Sequence, residues 1–168
     1  MLIYLDSNLV QYCADYEDFL FGNVKVPVRE RKLYRELNAM KRLIDLDQIT
    51  NLHIAASPQL LNELLDGKPT LKQREVYTML TEAWKDTVWE EVFPIGYDEV
   101  KKIEISFRYL GLTPKDLRHL SEAIAFKASY FFTNDGCIIR KCKKHKLPIR
   151  VSKPSECIEE ISQGLILK

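Results

Sequence analysis

Two hydrophobic patterns alternate along the chain: short apolar runs, and longer segments in which apolar residues recur every three or four positions. The first pattern is typical of buried strands and the second of amphipathic helices. The apolar runs and one alternating run predict strands at residues 2–5, 52–56, 87–92, 130–133 and 149–151. The helical spacing predicts helices at residues 9–22, 27–48, 58–66, 70–84, 97–110, 114–127, from 136 onward and from 154 onward.

Two helix starts are marked by local chemistry. Ser57-Pro58 and Thr113-Pro114 each place a hydroxyl residue at the N-cap and proline at the first helical position.

Strands that alternate with helices predict an α/β fold: a three-layer sandwich in which helices flank a central, mainly parallel sheet.

Length and composition favour one folded domain over residues 1–168. The 46% hydrophobic content suffices for a core, and the mixture excludes disordered, collagen-like and coiled-coil chains. The 25 Lys+Arg residues nearly balance the 24 Asp+Glu residues. Because the net charge is only +1, bulk charge would not recruit nucleic acid, and binding would need a local basic patch.

The sequence contains no run that predicts a membrane span, and its first residues lack the basic region of a secretion signal. The four cysteines are widely spaced and are expected to be reduced thiols, which favours a cytoplasmic protein without contact to a membrane. Cys142 and His145 form an isolated C-x-x-H pair, which does not predict a zinc site.

Two acidic residues follow predicted strands. Asp6 comes directly after the first strand, and Asp135 comes just after the strand at 130–133. Parallel α/β sheets bind ligands at this carboxyl edge. Two carboxylates there would repel each other unless a divalent cation or a shared proton relieved the repulsion. The alternative is that each aspartate caps the following helix. For the pair together, the ligand-site interpretation is favoured.

Further acids lie on two of the predicted helices. Asp116 completes a capping box with Thr113, and this position also points toward the carboxyl edge of the sheet. Glu63 lies beyond the first turn of its helix, so capping does not explain it, although a solvent-facing glutamate would be ordinary. Neighbouring polar residues that could support these acids are Ser7, Asn8, Thr133, Asn134 and His119. Ordinary turn and helix chemistry would also explain them.

Basic residues are concentrated in one acid-free stretch, residues 136–155. Such a stretch is usually a solvated helix face. Because this one lies beside Asp135, the interpretation that it contacts a phosphate backbone is slightly favoured. The stretch includes Arg140, Lys141, Lys143 and Lys144.

At these positions the chain resembles the PIN-domain ribonucleases, especially the VapC-like toxins of toxin–antitoxin pairs. Residues 4–8 (YLDSN) resemble the first motif, residues 116–120 (DLRHL) the D-x-x-H-L helix, and residues 131–135 (FFTND) the closing strand. Glu63 occupies the place of the second acid. The chain departs from the family at Glu122, where a small residue is usual, and in a longer helical region at 22–48.

The resemblance implies a metal-dependent endoribonuclease that uses Asp6, Glu63, Asp116 and Asp135 with Mg2+ or Mn2+. It implies a small antitoxin partner and is compatible with a homodimer. For such an enzyme, Arg118 and the basic stretch are the residues expected to contact RNA. A second hypothesis is a non-catalytic PIN-like scaffold that binds RNA or protein. A haloacid-dehalogenase-type phosphatase is disfavoured because Asn8 stands where that chemistry requires an aspartate.

Overall fold

The computed structural model describes residues 1–22, 24, 30–84 and 97–166. The described strands form one parallel sheet of four strands in the order β2-β1-β3-β4. They are β1 (Leu2–Leu5), β2 (His53–Ala55), β3 (Tyr130–Phe132) and β4 (Arg150–Ser152). This arrangement confirms the α/β class and the parallel sheet, and it is compatible with a three-layer sandwich.

Helices connect and cover the strands, and a short 3-10 turn at Arg108–Leu110 follows one of them. Gly111 ends that turn with a φ of 63°, a left-handed conformation that glycine adopts without steric cost. The helices are α1 (Ser7–Asp15), α2 (Glu17–Leu20), α3 (Arg31–Ile49), α4 (Pro58–Asp66), α5 (Leu71–Trp84), α6 (Tyr97–Phe107), α7 (Pro114–Ala125), α8 (Gly136–Cys142) and α9 (Pro154–Ile166).

The sheet is buried on both faces. Ile3, Tyr4 and Leu5 are each at most 1% exposed, although neighbouring strand residues point to opposite faces. In β3, Phe131 and Phe132 are fully buried, and the Phe131 ring stacks on Tyr4 with centroids 5.7 Å apart. Continuous apolar strands with two covered faces are typical of parallel sheets between helices.

The strand order creates a crevice at the carboxyl edge. The chain passes from β1 to β2 on one side and later returns past β1 to β3 and β4. The order therefore reverses between β1 and β3, the position at which open α/β sheets bind ligands. Asp6 directly follows β1, and Asp135 lies three residues beyond β3.

Long-range polar contacts fix α3 against α9. The Glu36 carboxylate, only 8% exposed, accepts hydrogen bonds from the Ser155 hydroxyl at 2.6 Å and from the Ser155 amide at 3.1 Å. Arg42 forms an ion pair with Glu159 farther along the same two helices. These contacts therefore connect α3 directly to α9, the last described helix.

Most predicted elements are confirmed, with differences at their ends. The helix predicted up to Gly22 is divided into α1 and α2, because the backbone of Tyr16 leaves the helical conformation (φ −125°, ψ 30°). The predicted start at Pro27 and the predicted strand at 87–92 lie outside the described residues. Within the described ranges, no helix is long and apolar enough to cross a membrane.

Replacing Phe131 with alanine should lower the free energy of unfolding by about 3–5 kcal/mol, because it empties a large site in a close-packed core. Urea denaturation measures the change. Ile105→Ala is a matched control, since Ile105 is 56% exposed and its loss should cost less than about 0.5 kcal/mol. Similar losses for both variants would mean that Phe131 does not lie in the core.

Candidate functional site

Asp6 is a buried carboxylate that caps a helix. It is 3% exposed and is the N-cap of α1, where Oδ1 accepts a hydrogen bond from the Ser7 amide at 2.8 Å. The Ser7 hydroxyl also donates to Oδ1, at 3.4 Å. The capping interpretation is therefore correct for Asp6, but it accounts for only one of the two carboxylate oxygens.

The other oxygen of Asp6 connects two strands. Oδ2 accepts hydrogen bonds from the Thr133 hydroxyl at 2.6 Å and from the Asn8 amide group at 2.8 Å. Asn8 also donates to the Thr133 hydroxyl oxygen at 3.1 Å. Asp6, Asn8 and Thr133 therefore form a closed triangle of hydrogen bonds across the ends of β1 and β3.

Asp135 is brought to the same edge but remains exposed. Its amide donates to the Thr133 hydroxyl at 3.0 Å, so Thr133 contacts both aspartates. Its Oδ1 caps α8 by accepting from the amides of Cys137 at 2.6 Å and Ile138 at 3.4 Å. No described residue donates a hydrogen bond to Oδ2, so this oxygen is available to a ligand.

Asn134, between these residues, has a buried side chain without a partner. Its amide nitrogen donates to Asn8 Oδ1 at 3.2 Å, but both polar atoms of its own side chain lack a hydrogen-bond partner among the described residues. Such atoms are rare in folded proteins and need an explanation. A buried water that bridges the two atoms would satisfy them. We call Asp6, Ser7, Asn8, Thr133, Asn134 and Asp135 the strand-end cluster.

Glu63 and Asp116 lie on two neighbouring helices. Glu63 is half-buried, and its Oε2 lies 3.3 Å from Lys115 Nζ and 3.6 Å from His119 Nε2 on α7. Gln59 donates to its other oxygen at 3.3 Å. Glu63 is therefore not a freely solvated glutamate; it is held against the first turns of α7.

Asp116 forms the predicted cap with Thr113. The Asp116 amide donates to the Thr113 hydroxyl at 3.2 Å, and that hydroxyl donates to Asp116 Oδ2 at 2.7 Å. No described residue donates to Oδ1. Asp116 is half-buried, so one oxygen serves the helix and the other is accessible.

His119 lies between two carboxylates. It is 1% exposed, with Nε2 3.6 Å from Glu63 Oε2 and Nδ1 3.6 Å from Glu122 Oε2. Both distances slightly exceed hydrogen-bond length, and neither ring nitrogen has a closer partner among the described residues. A short shift of either glutamate would form the bond, so His119 is suited to orient Glu63.

Glu122, the position at which the chain departs from the PIN motif, is a buried charged residue that local sequence patterns do not predict. It is 5% exposed. Its Oε2 accepts from the Tyr4 hydroxyl at 2.9 Å, and Arg118 Nε lies 3.3 Å from Oε1. The four-residue spacing of Arg118 and Glu122 predicts an ion pair along the helix. The burial of Glu122 follows only from its contact with Tyr4 on β1. We call the residues around this buried carboxylate the helix cluster: Tyr4, Glu63, Lys115, Arg118, His119 and Glu122.

The environment of Glu122 favours its charged form. Burial alone would raise its pKa, but the interactions with His119, Ser57 and Tyr4 together outweigh burial and lower the pKa. Burial and the Glu122 charge raise the pKa of Tyr4 well above its usual value, so Tyr4 remains a hydrogen-bond donor. The helix cluster therefore holds an ionised carboxylate in its interior.

The predicted metal residues do not form a preassembled cage. Across the described ranges, no three His, Cys, Asp or Glu side chains are grouped as metal ligands. Mg2+ commonly binds through one or two carboxylates and completes its shell with water and substrate phosphate. The free oxygens of Asp116 and Asp135 are donors of the kind that this ion prefers. Their chemistry is therefore compatible with Mg2+ or Mn2+.

The predicted RNA-contacting residues differ in their availability. Arg118 is half-buried beside Glu122, and Lys141 donates to the Gly111 carbonyl. Arg140, Lys143 and Lys144 are exposed, although Lys143 Nζ lies 3.7 Å from a Glu156 carboxylate oxygen. A cavity of about 410 Å³ between α8 and β4 is lined by Lys143, His145, Lys146, Arg150 and Glu156 and by none of the four predicted acids.

No family model, no curated protein and no solved structure matches the chain. The resemblance to PIN-domain ribonucleases therefore depends on the motif residues and on their order along the chain.

Replacing Thr133 with valine should lower the free energy of unfolding by about 1–3 kcal/mol, because the buried Asp6 carboxylate loses a donor. Thermal or urea denaturation measures the loss. Thr133→Ser keeps the hydroxyl and should cost about 1 kcal/mol or less, for one methyl group. Equal losses in the two variants would contradict the importance of the Asp6–Thr133 hydrogen bond.

Glu122 should make stability depend on pH. Because its pKa is lower in the folded chain than its ordinary value of 4.5, the unfolded chain binds the proton first as the pH falls. Its stabilising effect should be complete above pH 4.5 and disappear as the pH falls through the folded pKa. Denaturation of the wild type and Glu122→Gln across this range measures the effect. Glu122→Gln should lose this part of the pH dependence, whereas Glu75→Gln, at an exposed position on α5, retains Glu122 and should keep the wild-type pH dependence.

Proposed function

We propose that the chain is a PIN-like, metal-dependent endoribonuclease that hydrolyses RNA phosphodiester bonds at the carboxyl edge of its sheet. The observation that carries this proposal is the strand-end cluster. Thr133 joins Asp6 to the backbone of Asp135 at the point where the strand order reverses. Acidic residues at that point of a parallel sheet suit a ligand site better than a purely structural role.

The four acids would have different tasks. Asp116 and Asp135 would supply accessible oxygens to Mg2+ or Mn2+. Asp6 accepts four hydrogen bonds, which fill the capacity of a carboxylate, so it would hold the cluster and could bind the ion only by giving up one donor. Glu63 would bind a second ion or orient the attacking water, with His119 fixing its direction.

The chemistry requires a nucleophile and stabilisation of negative charge. A bound divalent ion supplies both, by lowering the pKa of water and by stabilising the developing charge on phosphodiester oxygens. The protein's own part is to position the phosphate. The exposed cations Arg140, Lys143 and Lys144 follow Asp135 on α8 and the turn after it, so they would guide a phosphate backbone toward the acids.

Regulation by a partner is part of the same proposal. The resemblance to VapC-like toxins supports a small antitoxin protein that covers the acidic edge, and a homodimer is compatible with it. If a bound antitoxin left RNA cleavage unchanged at equal concentration, the toxin assignment would be wrong and a nuclease without this regulation would remain.

The variant Asp135→Asn separates metal binding from helix capping. Asparagine caps helices as well as aspartate does, but it is a poorer ligand for a divalent cation. We expect folding to be preserved while Mn2+ affinity, measured by calorimetry, and RNA cleavage both fall by about 100-fold or more. Asp116→Asn and Asp6→Asn should also lose cleavage.

Asp98→Asn is the matched control, because Asp98 is an exposed acid in the first turn of α6. It should bind Mn2+ and cleave RNA like the wild type. If the wild type binds no Mn2+ and leaves RNA intact, the aspartates serve only as caps, and the non-catalytic scaffold becomes the better hypothesis.

A further inference from the structure

A cavity beside the helix cluster has no role in the proposed hydrolysis. It has a volume of about 240 Å³ and lies where the start of α4, α6 and α7 meet. Among the described residues, its lining includes Ser57, Pro58, Tyr97, Arg118, Glu122 and Phe126. Pockets for drug-sized ligands are about 300–1,000 Å³. This cavity therefore suits a single small ring system.

The cavity combines planar groups with one buried anion. Tyr97 is 64% exposed, and the Arg118 guanidinium lies over its ring at 5.6 Å from the centroid. Aromatic rings and guanidinium groups are the surfaces on which unpaired bases stack. Pro58 and Phe126 add apolar surface. A flat ring would therefore find stacking partners at this position.

Glu122 would select among such rings. Glu122 lines the cavity and is almost completely buried, and its neighbours lower the pKa of its carboxyl group. Each carboxylate oxygen has one partner, Tyr4 or Arg118, and can accept a further hydrogen bond. A carboxylate accepts hydrogen bonds but donates none, and it pairs well with the exocyclic amine of cytosine. Uracil presents a carbonyl oxygen at the same place, which the carboxylate would repel.

The cavity is also close to the proposed catalytic acids. Glu122 lies six residues after Asp116 on α7, about 9 Å along the helix axis. Glu122 and Glu63 contact opposite nitrogens of the His119 ring. A nucleotide whose phosphate lay at the acids could therefore place a neighbouring base in this cavity.

We propose that this cavity is a base-recognition subsite, in which an unpaired cytosine of the RNA substrate stacks on Tyr97 and Arg118 and donates its amine to Glu122. The inference rests on the proposed function, since it specifies the RNA that the same site would take. It assigns Tyr97 and Glu122 roles in substrate selection rather than in the hydrolysis itself.

Fluorescence anisotropy with labelled oligocytidylate and oligouridylate of equal length tests the subsite. The measurement is made in EDTA, so that neither metal binding nor cleavage contributes. The wild type should bind oligocytidylate about fivefold or more tightly than oligouridylate. Tyr97→Ala should weaken oligocytidylate binding about tenfold, because a stacking surface is lost. Glu122→Gln should abolish the preference, since the amide can both donate and accept.

Tyr109→Ala is the matched control. Tyr109 is 59% exposed, close to the 64% of Tyr97, but it does not line the cavity. It should retain the wild-type affinity and preference. Because Tyr97 is exposed, its variant remains informative even if Glu122→Gln fails to fold.

Several results would overturn the subsite: equal affinity of the wild type for the two oligonucleotides, no binding of either, or unchanged binding by Tyr97→Ala. A preference for free CMP over UMP without a preference between oligonucleotides would make the cavity a free-nucleotide site. If RNA is cleaved with Mn2+ but the preference is absent, only the subsite fails. If the preference is present but RNA is never cleaved, only the nuclease proposal fails.

Discussion

The carboxyl edge of the sheet is organised by a buried carboxylate that must be supplied with donors. Asp6 is 3% exposed, and a charge in such a place is tolerated only when hydrogen bonds replace its lost hydration. The donors come from Ser7 and Asn8 in the next turn and from Thr133 at the end of β3. Because these three residues must lie within hydrogen-bond distance of Asp6, their contacts fix the start of α1 and the spacing of β1 and β3. Thr133 in turn binds the amide of Asp135 and so fixes its position.

The second organising element is α7, which is buried along much of its length. Asp116 in its first turn bonds to the cap residue Thr113 of the same helix. His119 in its middle lies against Glu63 on α4, and Glu122 farther on accepts a hydrogen bond from Tyr4 on β1. Through Tyr4, Glu122 is also connected to the strand that leads to Asp6. The strand-end and helix clusters therefore share β1, although no hydrogen bond runs directly between their acids.

Sequence patterns predicted the features that depend on local chemistry. The caps at Ser57 and Thr113 were correct because a hydroxyl followed by proline specifies a helix start within a few residues. The break at Tyr16 was missed, since the apolar spacing continues through it. The burial of Glu122 was also missed, because its partner Tyr4 is 118 positions away in the sequence and no local pattern records that contact.

The pairing of β1 with β3 has a consequence for the order of folding. Thr133 follows Asp6 by 127 positions, so during synthesis the acid emerges long before its donor. Until β3 is made, the first strand lacks both its central neighbour and the hydroxyl that satisfies its carboxylate. Contacts of such long range form late and slowly. The charged edge of the sheet is therefore assembled only after residue 133 has been synthesised, so a shorter growing chain would lack the strand-end cluster.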